Sequence, residues 1–64
     1  MQKLLLLTDK NGEKIIIGVE SIIDCISCTM PNGKSYTKIR SIGAMVITNY
    51  VIENIEEIYK IYNS

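Results

Sequence analysis

Met45-Val46-Ile47-Thr48-Asn49-Tyr50-Val51-Ile52-Glu53-Asn54-Ile55-Glu56-Glu57-Ile58-Tyr59-Lys60-Ile61-Tyr62 changes its apolar period partway along. Met45, Val46 and Ile47 form a short apolar run suited to a strand ending at Thr48. Further on, Val51, Ile52, Ile55, Ile58, Tyr59 and Tyr62 recur at spacings of three and four, one face of a 3.6-residue helix. Glu53, Glu56 and Lys60 fall on the opposite side. The spacing predicts a helix that takes over at Thr48-Asn49 and runs to Tyr62, with Thr48 or Asn49 as its cap and early glutamates at the positive end of its dipole. Glu56 and Lys60 stand in the favourable i, i+4 order, worth about 0.3 kcal/mol, and Asn63 lies where a helix commonly ends. Tyr50 and Ile61, eleven residues apart, share nearly one line of such a helix beside Asn54 and Glu57. That line reads as the rim of a core and, in its sharper form, as a partner-facing edge of Tyr50, Asn54 and Ile61.

Upstream the chain reads as short strands. Lys3 to Thr8 is apolar on both faces, and so is Glu13 to Ile17. Between them Asp9-Lys10-Asn11-Gly12 carries the Asn-Gly pair of a tight hairpin turn. Gly18 marks a bulge or corner. A third strand from about Ser21 to Thr29 alternates poorly, and Pro31-Asn32-Gly33 signals a second hairpin. Lys34 to Ser41 alternates cleanly, with Lys34, Tyr36, Lys38 and Arg40 on one face. Ile42-Gly43-Ala44 is a third turn before the last strand. The expected fold is α+β: one domain over residues 1–64, an antiparallel β-meander of four to five short strands closed by one C-terminal helix.

A chain of 64 residues buries only about 60% of its unfolded surface and needs help to be stable. Lys plus Arg and Asp plus Glu number seven each, so no global field steers it to nucleic acid or an anionic membrane. Its apolar runs are too short for a span of about 20 residues. Met1 to Leu7 imitates a leader, but the leucines stop at Thr8-Asp9-Lys10 with no small-residue cleavage site, so a cytoplasmic location is expected. The first, second and last strands are apolar on more faces than one helix can cover. That surplus predicts a homo-oligomer, with a closed small barrel as the other way to hide it.

Chemistry is sparse. Cys25-Ile26-Ser27-Cys28 has C-x-x-C spacing, but zinc wants about four ligands and the chain has no histidine and no further cysteine. A metal would therefore need two chains, and the plain reading is two small thiols of a reducing compartment. Neither a metal nor another cofactor is expected. Lys34, Tyr36, Lys38 and Arg40 could neutralise and stack on single-stranded nucleic acid, but the same stripe also serves as a solvated strand face. Asp9, Glu13, Glu20 and Asp24 have no histidine beside them to act near neutral pH, and no serine stands in a nucleophile elbow, so no enzyme is expected.

Leu7-Thr8-Asp9-x-Asn11-Gly12, then Ile15-Ile16-Ile17, Val19-Glu20-Ser21-Ile22, Asn32-Gly33-Lys34 and Val51-Ile52-Glu53-x-Ile55-x-x-Ile58, resembles the FlbD/SwrD-like family of small bacterial proteins. The same outline recurs in short uncharacterised proteins of phages and mobile elements. The resemblance implies an association with flagellar operons and, for the SwrD branch, with motor power. It brings no catalytic residues. The Cys25/Cys28 pair, Gly18 at the corner and the Thr37 to Ala44 segment depart from the family's pattern. The expected function is non-enzymatic self-association and contact with a protein partner. Nucleic-acid binding through the basic stripe is the second reading.

Overall fold

Two Asn-Gly turns shape the chain in the same way. In the first, Asp9 N–H donates to the Glu13 carbonyl at 2.8 Å and Gly12 N–H to the Asp9 carbonyl at 3.1 Å. Asp9 Oδ1 accepts from the N–H groups of Asn11 and Glu13, both at 2.9 Å. In the second, Met30 N–H reaches the Lys34 carbonyl at 2.8 Å and Gly33 N–H the Met30 carbonyl at 2.9 Å. Gly12 and Gly33 adopt φ of +84° and +88°, a left-handed conformation that a side chain resists. Each turn is thus a three-residue loop ending in a left-handed glycine, which reverses the chain into a hairpin.

The computed structural model describes residues 3–64; Met1 and Gln2, which open the leader-like run, lie outside the described residues. The first turn joins β1 (Leu4–Thr8) to β2 (Lys14–Gly18). A 3-10 turn over Val19–Ser21 makes the corner at Gly18 and leads into β3 (Ile22–Thr29). The second Asn-Gly turn joins β3 to β4 (Ser35–Ile42), and β5 (Val46–Val51) follows. All pairings are antiparallel, in a two-stranded sheet β1-β2 and a three-stranded sheet β3-β4-β5. Among the described residues one bridge, Asp9 opposite Val51, links the sheets, and Ile52 N–H donates to the Thr8 carbonyl beside it at 2.9 Å.

The inner faces of both sheets meet in one core of Leu5, Leu7, Ile17, Ile39, Val51 and Ile58. The poor alternation of β3 has a local cause. Its register against β4 shifts between Ile22 and Asp24, so Ile23 is the extra residue and faces solvent. Beyond the bulge Cys25 packs against the core while Ile26 points outward.

The helix corrects the expectation at its N-terminus. It is α1 (Ile55–Tyr62), not a helix from Thr48-Asn49, and its cap is Asn54 rather than Thr48 or Asn49. Asn54 Oδ1 accepts from Glu57 N–H at 2.8 Å, and Glu57 Oε1 accepts from Asn54 N–H at 3.1 Å, a reciprocal capping box. Val51 closes β5 and is buried, since Tyr50-Val51 suits a strand at least as well as a helix. The lid is therefore short. It buries Ile58, leans Ile61 on the core, and packs against β1 and β3. Lys3 ties the far end down by donating to the carbonyls of Tyr62 and Ser64, where a cation suits the helix dipole.

Between β5 and α1, Glu53 fastens the sheets together. Its Oε1 accepts from the buried Thr8 N–H at 2.9 Å, and its carbonyl accepts from the buried Thr37 hydroxyl at 2.8 Å.

Candidate interaction surfaces

The outer face of the three-stranded sheet carries the basic stripe. Tyr36, Lys38 and Arg40 project there from β4, opposite Cys28, Ile26 and Asp24 of β3. Arg40 is engaged: its Nε donates to Asp24 Oδ1 at 2.9 Å and Oδ2 at 3.1 Å, and its Nη2 also meets Oδ2. The hydrogen bond from Arg40 holds the Asp24 carboxyl below its ordinary value of 3.8; partial loss of solvent opposes this, and the charges of Arg40 and Lys38 add to it. A depressed carboxylate contributes stability above its unfolded pKa and loses it as pH falls through the folded value. The stability difference between the wild type and Asp24→Asn should therefore be present at neutral pH and vanish on acidification below 3.8, as urea melts at a series of pH values would show. A constant difference down to the lowest pH would contradict it.

Tyr36 leans against Tyr50 of β5, ring centroids 6.2 Å apart and planes at 55°. Lys10 Nζ lies 5.7 Å from the centre of the Tyr50 ring. Together with Met30, Pro31 and Ile52 these side chains border an open groove of about 550 Å³. The Cys28 thiol beside it, and then partial loss of solvent, push the Tyr36 phenol above its usual range, so it stays a neutral donor. Of the stripe, Lys34 and Lys38 make no ion pair among the described residues.

The helix-edge trio is not brought together. Tyr50 sits on β5, Asn54 is spent in the capping box, and Ile61 leans on the core, so the shared helical line does not exist. The cysteines diverge as well. Cys25 pairs with Ile39 on the inner face and Cys28 with Tyr36 on the outer, so both thiols cannot reach one ion. Burial, then the charge of Asp24, raises the Cys25 thiol and keeps it un-ionised. No group of three or more His, Cys, Asp or Glu is gathered for a metal among the described residues.

Large apolar side chains stand exposed in several places. Leu4, Leu6 and Ile16 project from the outer face of the first hairpin, Ile16 at 65% exposure. Ile42, Met45, Val46 and Ile47 cover the tip of the β4–β5 hairpin, Met45 at 70%. Tyr59, at 68%, stands beside an apolar groove of about 300 Å³ between the helix, Val19, Ile22 and Cys25. A 7.2 kDa chain folded as a typical monomer exposes roughly 4,100 Å². This one exposes 4661 Å². No helix is long and apolar enough to cross a membrane, among the described residues.

No protein-family model matches the chain, and no curated protein or solved structure is significantly similar to it.

Proposed function

We propose that this is a small, non-enzymatic cytoplasmic protein of a bacterium or phage that self-associates and works through protein–protein contact. The observation that carries the reading is the surplus of apolar surface on Leu4, Leu6, Ile16, Ile42, Met45 and Val46, all at least half exposed. The likeness to FlbD/SwrD-like small proteins, which bring no catalytic residues, stands on the same side. Sedimentation equilibrium at micromolar concentration should return a mass of two or more 7.2 kDa chains. The mass of one chain would refute the reading.

The Tyr36–Tyr50 groove with Lys10, Lys34 and Lys38 favours a second reading, capture of single-stranded nucleic acid. Arg40, turned to Asp24, weakens it. Labelled single strands followed by fluorescence anisotropy decide: binding that falls steeply with salt supports it, and no binding at low salt removes it.

A further inference from the structure

Between Arg40 and Glu53 the chain carries no charged side chain. That run forms the end of β4, the turn after it and all of β5. β5 closes one side of its sheet: it pairs with β4 from Ile42↔Val46 to Thr37↔Val51, and its other side meets β1 only where Asp9 faces Val51. Among the described residues nothing pairs with that side from Val46 to Tyr50. Of the other open strands, β1 is also uncharged, but Glu53 and Ile52 occupy the backbone N–H and carbonyl of Thr8 at its end. β2 is short and carries Lys14, and β3 carries Asp24 and the register shift beside it. Charges and bulges are what keep sheet edges from finding a partner, and β5 has neither.

Its backbone is also aimed outward. Ile52 N–H donates toward β1 on the open side. With the two-residue period of an antiparallel strand, Val46 and Thr48 direct their backbone groups the same way.

We propose that the open side of β5 is a homodimer interface, in which β5 pairs antiparallel with β5 of a second copy about a two-fold axis near Ile47 and Thr48. The pairing joins two three-stranded sheets into one of six strands. It rests on the self-association proposed above and places it at the β4–β5 part of that apolar surface, leaving the outer face of the first hairpin uncovered. A second copy is the fitting occupant because a two-fold axis sets each central residue beside its own counterpart, where any charge would repel itself. Val46, Ile47, Thr48 and Asn49 carry none, and branched side chains meet branched side chains.

Light scattering on a dilution series of the full chain tests this with three variants, each checked for folding by circular dichroism. Thr48→Pro removes the outward N–H and leaves the β4-facing bonds of its neighbours, as proline tolerates an edge. Thr48→Lys places two cations at the axis and serves if the proline variant does not fold. Ile16→Lys, on the first hairpin, is the control. The wild type should be a dimer, both Thr48 variants should need roughly tenfold or more higher concentration to associate, and Ile16→Lys should match the wild type. A wild-type oligomer indifferent to both Thr48 substitutions, or broken by Ile16→Lys alone, overturns this interface while self-association stands. A wild-type monomer overturns both.

Discussion

Ile39→Ala should unfold a large share of the protein at 25 °C. Ile39 is fully buried at the centre of β4, between Cys25 and Asn49 of the flanking strands, and joins the core formed by both sheets and the helix. Truncating such a side chain costs about 2–5 kcal/mol, because the lost transfer energy is joined by a cavity the surroundings only partly fill. A chain of 64 residues holds roughly 3–10 kcal/mol in all, so the substitution removes from about a fifth to most of what exists. Urea denaturation followed by circular dichroism measures it. Because association adds stability by mass action, wild type and variant are compared at equal concentration. A loss under about 1 kcal/mol would mean that the core is not where the two sheets meet.

Glu53→Ala ranks second. The Thr8 N–H is buried and has the Glu53 carboxylate for its acceptor, so alanine leaves a donor unsatisfied, at about 1–3 kcal/mol. The Glu53 carbonyl accepts from the buried Thr37 hydroxyl, so loosening this residue disturbs the contact of β1 with both β4 and β5. Glu53→Gln keeps an acceptor oxygen and should recover most of the loss in the same urea melts. An alanine variant as stable as wild type would show that the sheets are held by packing alone. A glutamine variant as damaged as alanine would show that charge, not acceptance, matters.

How much of this was legible in the sequence differs from element to element. Both Asn-Gly turns were, because φ above zero at Gly12 and Gly33 is a local demand that the residue type answers. The alternation of β4 was legible as well, with Thr37 and Ile39 inward and Tyr36, Lys38 and Arg40 outward. The helix is capped five or six residues beyond the Thr48 or Asn49 cap that the apolar spacing predicts. Val51 and Ile52 continue the helical apolar spacing, yet they suit a strand equally, and the arbiter is Asn54-x-x-Glu57, a capping-box signal carried by the sequence itself. With the start went the supposed edge of Tyr50, Asn54 and Ile61, which depended on one continuous helix.

Long-range ties were not legible. The Thr8–Glu53 bond spans 45 residues, and nothing local distinguishes Glu53 from a solvated helical glutamate. Arg40 reads as one cation of a stripe until β3 sets Asp24 opposite it. The surplus of apolar faces was readable, since strands apolar on both sides cannot be covered by one short helix; which faces stay open depends on how the sheets meet.

The claim on which the rest turns is that the uncharged strand edge left open by one copy is closed by another along β5. Hydrogen exchange read residue by residue over a dilution series tests it most directly. Protection at the Val46 and Thr48 amides should fall as the protein is diluted, while that of Leu7 and Ile39 in the core falls far less. Val46 and Thr48 amides that exchange freely at every concentration would contradict it.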